Sequence, residues 1–281
     1  MWCAVAYLAA LLGAAAITLE LSDMHPLVTV GIADLVGTLV IFAFGVICNN
    51  SSLYDPYWSV APPAIALYLL AQPECDANPW RAAAMLLVVT VWAFRLTYNC
   101  LQRWRGLDDE DWRYRDIRRA TGRWYWAASL FGIHLMPTVL VYLGCLPMWT
   151  AFSPEAGDLG LLDALGVCVA LLGVALESVA DRQLRAFRQA GHQPGVLLAE
   201  GLWGRCRHPN YLGELLFWWG VFLLGVGAPE QAASWTVVGA ASMTALFVFI
   251  SIPLKERRML KRRPGYAAYR RRTPMLIPRW R

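Results

Sequence analysis

No CxxC, HExxH or Walker A motif occurs in the 281 residues, and no GxGxxG joins a strand to a helix. These absences argue against a structural zinc site, a zincin, a P-loop nucleotidase and a Rossmann dinucleotide domain. No alternating strand pattern is present, and no polar linker divides the chain. No charged segment precedes the first apolar run, so a retained helix fits better than a cleaved signal peptide. The seven cysteines (Cys3, Cys48, Cys75, Cys100, Cys145, Cys168, Cys206) are scattered, mostly in apolar runs, and read as small core hydrophobes.

What the chain has in abundance is apolar surface. Hydrophobic residues make up 58% of it, with a mean hydropathy of +0.41, which marks a polytopic membrane protein. The expected fold is all-α: a polytopic integral membrane helix bundle of seven to eight transmembrane helices with a basic cytoplasmic cap, one domain over 1–281. Apolar runs cover 2–20, 27–48, 58–71, 80–101, 124–149, 160–180, 210–227 and 233–253. Asp34 alone breaks the second. Most reach the roughly 20 residues needed to cross a bilayer; the third does so only if its helix starts near Asp55.

The charge is basic, with 25 Lys and Arg against 20 Asp and Glu. The arginines gather in 103–123, 182–207 and the tail from Lys255, whereas 72–78 and 150–159 hold no Lys or Arg. If each run crosses once, all the basic segments share one side, which should be cytoplasmic, and the N-terminus joins them. This pattern suits the lipid bilayer and an anionic ligand, not nucleic acid, and no obligate protein partner is evident.

Residues 205–214 read Arg-Cys-Arg-His-Pro-Asn-Tyr-Leu-Gly-Glu. A helix beginning at Pro209 would turn its free N–H groups toward Arg207 and His208, a place for a phosphate. Asp55, within Tyr54-Asp-Pro-Tyr57, reads either as a helix N-cap or as a buried carboxylic acid hydrogen-bonded by Tyr54 and Tyr57. Arg95 lies in an apolar run and must pair, snorkel or line a wet cavity. Asp181 and Arg185, beside Glu177 and Arg188, can pair at i, i+4. Asp108-Asp-Glu-Asp111 reads as a solvated turn. The tail, with Glu256, Arg258, Pro264-Gly-Tyr266, Tyr269 and Arg270–Arg272, reads as a folded cap.

The 207–214 motif and this tail resemble the steroid 5α-reductase superfamily, in particular its membrane branch sharing the 3-oxo-5α-steroid 4-dehydrogenase C-terminal domain. The resemblance is fullest over 170–281 and weaker over 49–125. It implies an NADPH-dependent reductase transferring hydride to the enone of a lipophilic substrate such as a steroid or other isoprenoid lipid. In these terms 2–22 is an added helix, 49–125 the substrate side and 160–281 the cofactor region. The implied cofactor residues are Asp181, Arg185, Arg188, Arg207, His208, Asn210, Tyr211, Glu214, Arg258, Tyr266, Tyr269 and Arg271 or Arg272. The implied catalytic residues are Asp55, Tyr54, Tyr57 and Arg95, with no metal. A dinucleotide bearing a 2′-phosphate requires several arginines, and an oxyanion forming on the enone requires an acid aimed at it.

Three positions depart from the family pattern. Trp92 stands where the family carries its catalytic tyrosine, Glu177 where the steroid enzymes carry an amide, and 189–200 contains no tyrosine. The Arg-His-Pro-x-Tyr motif also resembles S-adenosylmethionine-dependent membrane methyltransferases of the isoprenylcysteine or phospholipid type. A non-catalytic lipid-binding membrane protein is the third reading.

Overall fold

Prolines and short polar side chains set the helix starts. The computed structural model describes residues 2–104, 106–191, 195–226 and 234–279. Helix α1 spans Trp2–Glu20 and packs on α2, Pro26–Ile47. His25 caps α2 through Nδ1, 3.2 Å from the Leu27 N–H, and Pro26 occupies the first turn, where no N–H is needed. A short 3₁₀ turn, Ser51–Tyr54, leads to α3, Tyr57–Leu70. Asn78 likewise caps α4, Pro79–Leu101, with a proline in its first turn.

The amphipathic α5, Trp112–Thr121, is capped by Asp111. Helix α6, Tyr125–Ser129, continues through a π segment, Leu130–Leu135, into α7, Met136–Ala151. Then come α8, Leu161–Gln189, the short α9, Gly201–Arg205, and α10, Pro209–Val226. A second π segment, Leu246–Ser251, joins α11, Val237–Ala245, to α12, Ile252–Arg262, and α13, Tyr266–Arg272, ends the helices. Both π segments run up to a proline, Pro137 or Pro253, whose missing N–H breaks the ordinary ladder.

No strand occurs among the described residues, and six helices or continuous helical runs are long and apolar enough to cross a membrane. They are α1, α2, α4, 112–151, α8 and 234–262. The expected count of seven to eight therefore stands at six by this measure; α3, at 14 residues, and α10, with its polar first turn, are not among them. Arg105 of the basic loop and the ends of two expected spans, residues 227 and 233, lie outside the described residues.

The centre of the bundle is the pair α8 and α10. A Cβ on Gly173 would stand 2.5 Å from the Gly213 carbonyl oxygen, and one on Gly213 2.6 Å from that of Gly173. A Cβ on Gly220 would stand 2.5 Å from Ala170 N, and one on Gly166 2.8 Å from Leu224. The glycines recur at intervals of seven, so one seam stays in register along both helices, in the manner of small-residue packing in membranes. Helix α4 closes over the seam with Trp92 stacked on Phe217 at 4.5 Å. At the end away from the cap, buried Arg81 donates to both Asp163 oxygens (2.7 and 3.0 Å) and to the Gly157 and Asp158 carbonyls.

Replacing Gly213 by valine drives a side chain into the backbone of α8 and is expected to cost about 1–3 kcal/mol by overpacking. Gly132→Ala, where nothing stands within 4 Å, should leave stability unchanged. Thermal unfolding in detergent compares the two variants.

Candidate functional site

The seam brings two glutamates together. A Cβ on Gly213 would lie 2.8 Å from the Glu177 Cβ, so the missing side chain leaves room for Glu177 beside α10. Glu214, one residue on, lies within hydrogen-bonding reach of Glu177. Two indoles hold Glu214: Trp92 Nε1 donates at 3.1 Å and Trp218 Nε1 at 2.9 Å. Trp92 therefore does not offer a proton to a substrate; it orients a carboxyl group.

Arg95 reaches from α4 to Glu177 and Asp181 on α8. Asn99, one turn on, donates to Asp181 at 2.7 Å and accepts from Arg185 at 3.0 Å. The expected i, i+4 pairing of Asp181 with Arg185 is thus corrected: both meet α4, and Asn99 joins them. Arg95 does not snorkel, because buried Glu177 and half-buried Asp181 hold its guanidinium.

A cleft of about 340 Å³ opens beside this array, between the end of α4, the 103–111 loop and α5. Asp55, Trp58, Arg103, Trp104, Trp112, Arg113, Arg115 and Arg188 are among its lining residues. Arg188 feels both Arg103 and Asp181, so the cleft and the buried array share one electrostatic field. The N-cap reading of Asp55 is overturned, since Pro56 occupies the cap position of α3 without a side-chain bond. Its carboxyl accepts from Tyr114 Oη at 2.5 Å and faces Arg113 at 3.9 Å. Burial pushes its pKa up to about 6 against the pull of Arg113 and Tyr114.

Tyr54 and Tyr57 are not its partners. Tyr57 donates to Asp34 Oδ1 at 2.9 Å, and the Tyr54 hydroxyl meets Thr138 at 2.7 Å, both toward α2 and α7. Tyr54, the last residue of the 3₁₀ turn, and Tyr57, the first of α3, face a polar cluster that also holds Thr38 and His134. The four expected catalytic side chains therefore fall into three places: Asp55 in the cleft, Arg95 in the array, and the two tyrosines against α2 and α7. Glu110 is likewise no solvated residue; it accepts from the Ser51 N–H (3.0 Å) and the Tyr125 hydroxyl (2.9 Å).

The tail residues gather around Glu256 on α12. Arg207 Nε donates to it at 2.7 Å, His208 Nε2 at 3.1 Å, and Arg270 Nε lies 3.1 Å away. Arg207 also donates through Nη1 to the carbonyls of Arg270 (3.0 Å) and Thr273 (2.6 Å). The guanidinium expected to meet a phosphate is thus committed to the tail, because a buried carboxylate draws the nearest cations. Burial holds His208 below its ordinary range, so its Nε2–H donates while Nδ1 has no partner. Tyr211 stacks on His208 and lies 4.7 Å beneath Lys255 Nζ. Tyr269 donates to the Trp203 carbonyl at 2.5 Å, and Tyr266 bonds Glu256. Arg258 pairs with Asp116 and lies 3.8 Å over Trp112, tying α12 to α5. Arg271 is exposed on α13.

Asn210 begins α10 with its Oδ1 buried and unpartnered. It shares this state with His208 Nδ1, and neither residue is among those lining the arginine cleft. Reading the residues one by one missed Asn99, Tyr114, Trp218 and the hub role of Glu256. Only Glu256 carried a signal, its fixed place before Pro264-Gly265-Tyr266.

These features define an all-helical protein of several membrane-length helices, with an arginine-rich end and paired carboxyl groups at its core. The chain belongs to the family described as "Protein of unknown function (DUF1295)", matched over residues 41–273, within the steroid 5-alpha reductase-like superfamily. It is similar to an uncharacterized protein of Schizosaccharomyces pombe, 28% identical over 85% of this chain and 76% of that one. It is also similar to the cobalt-zinc-cadmium resistance protein CzcN of Cupriavidus metallidurans, 32% identical over 46% of this chain and 56% of that one. No solved structure matches the chain.

Two outcomes follow from this geometry. Asp55 keeps its proton in the folded chain at pH values where the unfolded chain has lost it. Its contribution to stability is therefore full below 3.8 and declines as the pH rises through about 6. Melting curves from about pH 4 to about pH 7 should show this decline in the wild type and a flatter profile in Asp55→Asn. Glu256→Gln leaves Arg207 buried without its carboxylate, a loss of about 3–5 kcal/mol. Trypsin should then cut at Arg270–Arg272 much faster than in the wild type.

Proposed function

We propose that this chain is an NADPH-dependent membrane reductase acting on the activated C=C bond of a lipophilic enone, such as a steroid or other isoprenoid lipid. Membership in the steroid 5-alpha reductase-like superfamily supports reductase chemistry. The observation that carries the reading is the arginine-lined cleft holding Asp55 and adjoining the Arg95–Glu177–Asp181 array. The arginine-rich end and the C-terminus face the cytoplasm in this reading, where a soluble cofactor is available.

NADPH would supply a hydride to the β-carbon of the enone. Arg188, Arg103 and Arg115 would meet its phosphates, and Asn210 Oδ1 would accept from its amide. Glu214, fixed by Trp92 and Trp218, would border the cofactor in this reading. Asp55, with a pKa near 6, is available to donate a hydrogen bond or proton to the developing enolate oxygen. Tyr114 takes the supporting place that Tyr54 and Tyr57 were expected to fill.

Thermal shift in detergent with NADPH, NADH and S-adenosylmethionine side by side tests this. NADPH at a hundred times its Kd should stabilise by about 2.7 kcal/mol, and Arg188→Ala should weaken that shift. A shift with S-adenosylmethionine alone would move the site to methyl transfer. No shift with any of the three would favour a lipid-binding protein without turnover.

A further inference from the structure

Buried polar side chains follow one another along the α2–α7 interface, apart from the Arg95 array. Tyr57 donates to Asp34 Oδ1 at 2.9 Å and bonds Thr38. The Thr38 and Thr138 hydroxyls meet at 2.7 Å, and Tyr54 meets Thr138 at 2.7 Å. The Tyr54 ring lies 4.8 Å from the imidazole of His134, which sits in the π segment Leu130–Leu135. A second run leads from His134 through Ser129 to Ser51 (2.9 Å), Tyr125 (2.6 Å from Ser51) and Glu110 (2.9 Å from Tyr125). Ser51, Ser129, His134 and Thr38 are fully buried.

Each hydroxyl owns one proton, so the ends of a run set the direction of its bonds. Tyr125 donates to Glu110, which leaves Ser51 to donate to Tyr125 and Ser129 to Ser51. His134 Nδ1 lies 3.0 Å from the Ser129 carbonyl and 3.4 Å from its hydroxyl. A carbonyl only accepts, so Nδ1 carries the hydrogen, and the bare Nε2 is buried without a partner. By the same count Thr38 donates to Tyr57 and Tyr54 to Thr138, which can turn its own proton to Thr38 or to the His134 carbonyl at 2.9 Å. Two hydroxyl chains therefore join at His134 and Tyr54, each ending on an acid.

The two acids differ in surroundings. Glu110 lies 3.3 Å from Arg118 and lines the Asp55 cleft, where the first chain meets solvent. Asp34 lies 13 residues before the end of α2, roughly 20 Å along its axis. It faces Tyr57 from α3, Tyr54 from the 3₁₀ turn, and Tyr142 and Cys145 from α7, none of them a cation. Its Oδ2 has no partner. An ionisable group kept in a membrane helix without a counter-ion is costly, and such groups serve proton relays. We propose that Asp34 is an intramembrane proton-binding site that exchanges with the arginine-rich end through the two hydroxyl chains and Glu110, with His134 as the switch between them. This path stands whether or not the chain is a reductase.

The transfer balances. With the hydroxyls turned, a protonated Asp34 gives its proton to Tyr57, and Thr38, Thr138 and Tyr54 each receive one and pass on their own. Tyr54 delivers to His134 Nε2, Nδ1 releases its proton to Ser129, and Ser51 and Tyr125 carry the charge to Glu110. Asp34 loses one proton and Glu110 gains one; only O–H and N–H bonds change, and no electron is transferred. Loading is the reverse. The step between Tyr54 and His134, which share no hydrogen bond, requires a movement of the rings.

The test reads the protonated-carboxyl infrared band of the full chain in nanodiscs after a pH jump, without cofactor. The part of the band missing in Asp34→Asn belongs to Asp34, and in wild type it should follow the bulk pH. In His134→Phe, whose ring fits the same place between Phe42 and Tyr54, it should respond roughly a hundredfold more slowly and reach the same amplitude. If that variant fails to fold, Ser51→Ala, which removes one hydroxyl from the first chain, should show the slowing instead. Tyr142→Phe, which removes a hydroxyl that faces Asp34 outside the path, should respond at the wild-type rate. Wild-type rates in both His134→Phe and Ser51→Ala, or slowing in Tyr142→Phe, would overturn the path. An Asp34 band that never responds to pH in the wild type would overturn the site itself.

Discussion

The paired carboxyl groups at the core depend on how closely α8 and α10 approach. Without the glycine seam the two backbones would stand apart, and Glu177 and Glu214 could not share one pocket. The seam works because lipid offers no hydrophobic drive between helices; close backbone packing supplies the attraction instead. It also decides what α4 must bring. Two adjacent carboxyl groups and Asp181 in a low-dielectric interior require a cation and several donors, and α4 supplies Arg95, Asn99 and the Trp92 indole. A tryptophan in place of a tyrosine is consistent with this demand, since its N–H donates and cannot itself ionise to an anion under ordinary conditions.

The two halves of the arginine-rich end are built on different principles. Around Glu256 the cations are satisfied by the protein itself, and the result is a lock on the tail. Around Asp55 and Arg188 they line an open cleft. Sequence motifs do not distinguish these conditions, because an arginine reads the same whether its partner is a carboxylate of the chain or a ligand. Helix α5 connects the halves, since Arg258 grips Asp116 and Trp112 from α12 while Arg113 and Tyr114 face Asp55.

The helical architecture was readable from hydropathy because each long apolar run is its own helix in lipid. Pro209 marked the start of α10 correctly. The pull of Glu177 and Asp181 on Arg95 was foreseeable as a requirement to pair, though not which helix would answer it. Asp55 was misassigned in its partners for a plain reason. Neighbours in sequence, Tyr54 and Tyr57, leave a 3₁₀ turn pointing elsewhere, and the real partner lies 59 residues away in an arginine-rich helix. Arg207 was misjudged because Glu256 comes 49 residues later, and only folding brings the two together.

The clamp between Arg81 and Asp163 has a mechanical meaning. It ties the start of α4 to the start of α8 through a fully satisfied guanidinium, at the end farthest from the arginine cap. Those same two helices carry Arg95 and Asp181 near their other ends. The two helices are therefore pinned at both ends, so they can shift against each other only as one rigid pair.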